Sequence, residues 1–145
     1  MDHYSQVNHI LVSLFHDIMD VEEKALISDE FKDISSNDMH IIEVIGLDSA
    51  RNMSAIAADL KVTVGTLTIA INNLVKKGYV VRTRGEKDRR VVFISLSEKG
   101  RRAYEHHEQF HHEMTEAILR RLDDQEVEVL MKALNNIKEY FKIGL

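Results

Sequence analysis

Apolar residues recur every three or four positions along the first half of the chain, which is the spacing of one face of an α-helix. The first such stripe covers residues 5–27, and the polar run at 35–38 offers N-cap side chains for a second helix that we expect to end near Gly46. A short helix, Ser54–Leu60, and a tight turn then lead into a further helix, Val64–Lys77. The pattern therefore predicts four helices before its period changes.

The period changes to that of β-strands in the next part of the chain. Residues 79–84 and 90–96 are rich in β-branched and aromatic side chains, and the tip between them, 85–89, is polar and mostly charged. Two short strands around a polar tip predict a β-hairpin. Helical spacing returns in residues 97–122 and again in a last helix that two aspartates cap. The sequence thus predicts a mainly α-helical fold with one small β-hairpin.

The order helix, short turn, helix, hairpin is that of a winged helix-turn-helix, whose second helix enters the major groove of DNA. Threonine at the start of that helix suits phosphate oxygens or a thymine methyl, asparagine suits adenine, and arginine on the hairpin reaches phosphates or a narrow minor groove. The residues that we predict to contact DNA are Thr63, Gly65, Thr66, Thr68, Asn72, Asn73, Arg82, Arg84, Lys87 and Arg89. Residues 35–96 are accordingly the predicted DNA-binding region, and residues 1–34 and 97–145 form a helical region of separate role.

Net charge changes this picture once it is divided along the chain. The whole chain carries −5, but residues 53–102 hold eleven Lys and Arg against four Asp and Glu, and the remainder holds eight against twenty. A local basic block can bind phosphates while an acidic remainder disfavours indiscriminate binding. The chain has no cysteine, and its N-terminus mixes His and Asp with apolar residues. We therefore expect a cytoplasmic protein without disulfides, secretion signal or membrane segment.

Five segments, taken in order, carry a resemblance to a known family: Leu60–Thr63, Gly65–Thr68, Asn73–Val80, Asp88–Arg90 and Leu96–Gly100. Together they resemble the MarR family of winged-helix transcription regulators, over essentially the whole chain. The resemblance implies a homodimer whose N- and C-terminal helices form the interface and which binds a palindromic operator in double-stranded DNA. It also implies that Asp88 and Arg90 brace the hairpin. We expect Arg89, at the tip of the hairpin, to contact the minor groove.

Within that family the chain is most similar to the repressors of fatty-acid synthesis. The similarity lies in Phe31–Ser35, Met39-His40, Thr63–Thr68, Asp88–Val92, and Phe110-His111 followed by Met114. It implies a repressor of fatty-acid-synthesis genes whose corepressor is an acyl chain carried on acyl carrier protein. We expect soft side chains to line the space for such a chain, namely those of Met19, Met39, Met53 and Met114.

The chain has eight histidines, a high number for its length. His107 and His111 lie four residues apart on one helical face, a spacing that a metal ion can bridge. His40 falls where zinc-responsive MarR regulators place a metal ligand, and Glu22 or Glu23 would add a carboxylate. A zinc-responsive regulator of metal-transport genes is therefore the alternative function. Exposed histidines, or neutral ones that hydrogen-bond across a helix junction, explain the same residues without a metal, and the sequence leaves both interpretations open.

Two other classes of function find little support in the chain. It contains no nucleophile elbow, phosphate-binding glycine loop or HExxH motif, so we expect no enzymatic activity. The other class is a protein-interaction module that has the same fold but does not bind DNA. The four cations predicted on the hairpin argue against it, because such a module does not require them. The pattern therefore favours a DNA-binding regulator that requires no cofactor for its fold.

Overall fold

The computed structural model describes residues 2–26 and 30–142 of the chain. Within these residues the chain forms six helices: α1 (His3–Leu26), α2 (Ser36–Ile45), α3 (Met53–Leu60), α4 (Val64–Lys77), α5 (Glu98–Leu119) and α6 (Asp124–Phe141). It also forms three strands: β1 (Arg51–Asn52), β2 (Val80–Arg84) and β3 (Val92–Leu96). The mainly α-helical fold with a β-hairpin is confirmed. The last residue of the predicted first helix, 27, lies outside the described residues, as do positions 1, 28–29 and 143–145 of the predicted helical region.

The helices begin where side chains satisfy their first backbone N–H groups. The Oγ of Ser35 accepts from the Asp38 N–H at 3.0 Å, and the Asp38 carboxylate accepts from the Ser35 N–H at 3.1 Å, which makes a capping box. Thr63 caps α4 by accepting from the Thr66 N–H. Gly78 ends α4 with φ of 87°, a left-handed conformation in which glycine is favoured. Capping residues that can be recognised in the sequence therefore set the bounds of α2 and α4.

The sheet contains one strand that the sequence pattern did not predict. β1 pairs antiparallel with β3, with Arg51 opposite Ile94, and β2 pairs antiparallel with β3 on its other side. Two residues are too few to show alternation, so β1 could not be recognised from periodicity. The guanidinium of Arg51 holds it in place by donating to the Val44 carbonyl at 2.9 Å and by pairing with the Asp59 carboxylate at 2.8 Å.

Several predicted boundaries differ from those observed. α1 starts at His3 rather than at residue 5, and α3 starts at Met53 rather than at Ser54. The strands start at Val80 and Val92 rather than at 79 and 90, and α5 ends at Leu119 rather than at Leu122. Residues 90 and 91 belong to the turn of the hairpin, where the Val91 N–H donates to the Asp88 carbonyl. The apolar spacing that predicted α5 continues through the turn that follows it, so the pattern alone did not mark its end.

The hydrophobic core lies in the first of two compact units, Met1–Glu108. It gathers apolar side chains from α2, α3, α4 and the sheet. Its fully buried members are Met39, Ile42, Ile56, Leu67, Ile71, Leu74, Tyr79 and Ile94. The apolar stripe of α4 points into this core, so the opposite side of α4 faces solvent. The helix predicted to read DNA is thus held by its own buried face.

Large apolar side chains are exposed on α1 and, in the second unit (Gln109–Leu145), on α6. On α1 they include Val7, Ile10, Leu14, Phe15 and Ile18, and on α6 they are Val129, Met131, Leu134, Tyr140 and Phe141. No residue of α6 is buried. Among the described residues no single helix is long and apolar enough to cross a membrane, and only α3 with α4, bent by 105°, meets the length and composition as a pair.

The start of α5 is fastened to the end of α4 around Tyr79. The Tyr79 carbonyl accepts from the Ser97 N–H at 3.0 Å, and its buried hydroxyl donates to the Asp33 carboxylate at 2.6 Å. Burial, followed by this hydrogen bond, raises the pKa of Tyr79, and the same bond holds the pKa of Asp33 below its ordinary value. Gly100 packs so closely that a Cβ there would lie 2.1 Å from the Tyr79 carbonyl oxygen.

We expect the Gly100→Ala substitution to lower the free energy of unfolding by about 3 kcal/mol, because the added methyl collides with backbone that cannot move aside. Gly65→Ala is the matched control, since a Cβ there meets its nearest atom, Thr63 Oγ1, at 3.9 Å. Urea denaturation followed by circular dichroism measures both. Equal stability of the two variants would contradict the close packing of Gly100.

Candidate nucleic-acid interface

The first turns of α4 expose the three threonines predicted to contact DNA. Thr63 accepts from the Thr66 N–H at 3.1 Å, and the two hydroxyls lie 3.0 Å apart. The Thr68 hydroxyl donates to the Val64 carbonyl at 2.8 Å. These bonds hold the threonine hydroxyls in place, and all three residues remain exposed. Local capping thus orients the side chains that we expect to face DNA.

Asn72 and Arg82 form a bridge between α4 and the hairpin. A guanidinium N–H of Arg82, on β2, donates to the side-chain oxygen of Asn72. An asparagine that pairs with adenine uses both its amide oxygen and its amide nitrogen. Asn72 already uses the oxygen, whereas the amide of Asn73 is exposed and has no partner within the described residues. Asn73 is therefore the better placed of the two to pair with adenine.

The tip of the hairpin is held by an ion pair within it. The guanidinium of Arg90 contacts both carboxylate oxygens of Asp88 at 3.1 Å, and the Arg90 N–H donates to the same carboxylate at 3.0 Å. These bonds lower the pKa of the Asp88 carboxyl. Arg84 adds a bond at 3.0 Å to the Arg89 carbonyl. Gly85 is needed at the base of the tip, because a Cβ there would lie 2.7 Å from the Asp88 carbonyl oxygen.

The cations of the hairpin therefore divide into two groups. Arg82, Arg84 and Arg90 bind other parts of the protein, as described above. The side chains of Lys87 and Arg89 are exposed and find no hydrogen-bond or ion-pair partner in residues 2–26 and 30–142. A cation without an internal partner can approach a phosphate without first losing an interaction. We expect these two side chains to contribute most of the hairpin's attraction to DNA.

An open groove of about 540 Å³ lies between the start of α3, the first turns of α4 and the hairpin. It is lined by Asn52, Met53, Ser54, Val64, Thr68, Arg90, Val91 and Val92. Asn52 caps α3 by accepting from the Ala55 N–H at 2.8 Å. Met53 lies in this groove. Two of the four methionines that we expected to line a space for an acyl chain, Met19 and Met39, line a separate cavity together.

That cavity, of about 180 Å³, also brings together two of the three candidate metal ligands, His40 and His107. The buried Nε2 of His107 lies 3.4 Å from a carboxylate oxygen of Glu22 and closer still to one of Glu43. Exposed His40 has its Nδ1 3.9 Å from Glu43. Glu22 rather than Glu23 faces the cavity. His111, one turn beyond His107 on α5, belongs to the second unit together with Met114.

Glu43 is the cavity residue that sequence reasoning missed. It follows His40 by three positions on α2, which places both on one face of the helix. The three-residue spacing of His40 and Glu43 is visible in the sequence. The structure adds that His107 lies beside Glu43, which makes Glu43 part of the same candidate site. Two carboxylates and two imidazoles are donors that suit a divalent cation such as zinc.

Comparison with known proteins bears on the family and the fold of the chain. The family model described as "Transcriptional regulator SarA/Rot" matches residues 24–107. FabT of Streptococcus pneumoniae, solved in complex with DNA, is 40% identical over 96% of this chain and 97% of its own, with a TM-score of 0.85. A MarR family transcription regulator, SP03579, is 13% identical with a TM-score of 0.76 over 97% and 91% of the two chains, a likeness of fold alone. The uncharacterised HTH-type transcriptional regulator YpoP of Bacillus subtilis is 26% identical over 73% of this chain and 75% of its own.

The division of the hairpin cations predicts different effects on DNA binding. Arg89→Ala should reduce the slope of log affinity against log salt by about one, because one phosphate contact is lost. Arg120→Ala, which removes the same charge from an exposed position outside the interface, should leave the slope unchanged. Fluorescence anisotropy of a labelled duplex across a salt series measures both. Equal slopes for Arg89→Ala and the parent would show that Arg89 does not contact DNA.

The Asp88→Asn substitution distinguishes two effects of Asp88 on DNA binding: its positioning of the hairpin tip through Arg90, and its negative charge. The substitution makes the tip more positive, so long-range electrostatics alone would tighten binding. If Asp88 positions the tip through Arg90, the variant should instead bind the same duplex more weakly, with the salt slope retained. Tighter binding would mean that the ion pair has no positioning role.

Proposed function

The chain belongs to the SarA/Rot family of winged-helix, MarR-like transcriptional regulators, and we propose that it is a cytoplasmic homodimer that represses fatty-acid-synthesis genes with acyl-acyl carrier protein as corepressor. The observation that carries this proposal is the likeness to FabT, which extends over nearly the full length of both chains. The resemblance of Phe31–Ser35 and Asp88–Val92 to fatty-acid-synthesis repressors supports the same gene class.

The homodimer is supported by the apolar surfaces of α1 and α6. Exposed apolar side chains in such number are typical of surfaces buried by a second molecule. A twofold dimer presents two copies of α4, which read half-sites about 34–36 Å apart on one face of a duplex. The operator is accordingly expected to be a palindrome with half-sites about one helical turn apart.

The cavity beneath α1 bears on how an acyl chain would enter. Its volume of about 180 Å³ is below the range of roughly 300–1,000 Å³ of most small-molecule sites. Met19, Leu26 and Met39 supply apolar lining, but Glu22 and His107 are charged or polar. An acyl chain at this place therefore requires the cavity to widen along its methionine side. Methionine is well suited to such rearrangement because its side chain is unbranched and flexible.

The polar side of the same cavity favours a second candidate function, a zinc-responsive regulator. The supporting observation is the buried imidazole of His107 beside the carboxylates of Glu22 and Glu43. A divalent cation there would bind α1, α2 and α5 together through His40, His107 and these carboxylates. Such a protein would control metal-transport genes.

The fatty-acid proposal predicts that acyl-acyl carrier protein tightens DNA binding. We expect a long-chain acyl form to raise the affinity for duplexes from upstream of fatty-acid-synthesis genes about tenfold, within the usual range of coupling between two ligands. Unacylated carrier protein is the matched control and should have no effect. Gel-shift titrations at one salt concentration measure the change. Equal affinities with the two forms would overturn the acyl corepressor.

The zinc alternative predicts stabilisation of the folded protein by the metal alone. Zinc should raise the melting temperature of the parent, because a ligand that binds only the folded state shifts unfolding by mass action. His107→Ala should abolish the zinc-induced rise, whereas His112→Ala, an exposed histidine paired with Glu116, should retain it. The measured quantity is the rise itself, so any loss of stability in the variants does not matter. A parent that does not respond to zinc would exclude this site.

A further inference from the structure

Ile69 is a large apolar side chain on the solvent side of α4. Its exposed fraction is 67%, whereas Ile71, two residues later, is fully buried. Isoleucine is a poorer helix former than alanine or leucine, so helix propensity does not explain its presence there. It therefore adds little to the packing of the described chain.

The helix places Ile69 among residues already predicted to contact DNA. Neighbours on a helical surface are three or four positions apart. For Ile69 these neighbours are Gly65, Thr66, Asn72 and Asn73, all exposed. Val64, the other exposed apolar residue of α4, lies about 140° away around the helix. Ile69 is thus a single apolar point within a polar surface rather than part of an apolar patch.

Gly65 provides a second sign that something approaches this face closely. It precedes Ile69 by one helical turn, and its conformation is an ordinary helical one that any residue adopts. A Cβ at Gly65 would find no close neighbour in the described part of the chain. Folding therefore does not require glycine here. Because Gly65 has no side chain, the helix axis can come close to another molecule at this point. The neighbouring Ile69 would then contact a surface that offers it an apolar group.

The major groove offers such a surface. Base edges there present hydrogen-bond donors and acceptors and one kind of apolar group, the 5-methyl of thymine. We propose that Ile69 is a specificity-determining residue that packs against a thymine methyl in each half-site of the operator. The inference rests on the proposed DNA-binding function and adds to it the base that this position reads.

The experiment removes the methyl from DNA rather than from the protein. Duplexes selected by the parent from a random-sequence pool are resynthesised with deoxyuridine in place of one symmetry-related pair of thymidines at a time. At one pair the parent should lose about fourfold in affinity per methyl, or roughly 15-fold for the two half-sites. Ile69→Ala should bind the thymine and uracil duplexes of that pair within about twofold of each other. Ile69→Val, which keeps both branches at Cβ, should retain most of the discrimination.

The outcomes separate this inference from the proposed function. Failure of the parent to select any duplex would overturn DNA binding itself. If the parent selects specific duplexes, but every replacement of thymine by uracil changes the affinity of the parent and of Ile69→Ala equally, the thymine contact is overturned and DNA binding is not. Thermal unfolding of Ile69→Ala should match the parent, which ensures that the comparison reports on DNA contact.

Discussion

The buried side of α4 is the constraint on which the rest of the structure depends. Leu67, Ile71 and Leu74 enter a core shared with α2, α3 and the sheet. Burial of three such side chains contributes several kcal/mol and fixes the rotation of the helix about its axis. Because that rotation is fixed, the opposite face presents a constant set of groups to solvent. A regulator that reads bases needs this constancy, since a small rotation would move each contact to a different base edge.

The hairpin shows how a small element becomes rigid without a core of its own. Its arginines are used mostly within the protein: Arg82 on Asn72, Arg84 on the backbone at Arg89, and Arg90 on Asp88. These bonds hold the tip while Lys87 and Arg89 stay available. The surrounding charge supports this arrangement, because the basic block at 53–102 stands within an acidic chain. We expect this distribution of charge to concentrate the attraction to phosphate on the side that carries α4.

α2 links the interior cavity to the DNA-binding face. Met39, His40 and Glu43 line the cavity, while Ile42 and Ile45 on the same helix belong to the core against which α4 packs. A ligand that binds the cavity more tightly in one arrangement of α2 would favour that arrangement by its difference in binding free energy, and the shared core would pass the change to α4. The charged and apolar sides of the cavity correspond to the two effector classes proposed above. Either of the proposed effectors would therefore act on α4 through the same helix, α2.

Local sequence signals determined most of the architecture. Capping residues such as Ser35, Thr63 and Gly78 act on the nearest turn of backbone, so their effect can be read from a few neighbouring positions. The apolar period of α4 likewise determined which of its faces is buried. What depended on distant residues was decided by tertiary structure alone: the two-residue strand β1, the bridge between Asn72 and Arg82, and the meeting of His107 with Glu43. These contacts join residues of different elements that lie ten or more positions apart in the chain, and no local pattern encodes which partner a side chain will find. The sequence therefore predicted the helix that faces DNA, and folding decided which side chains on that face keep no partner within the described residues and stay available for DNA.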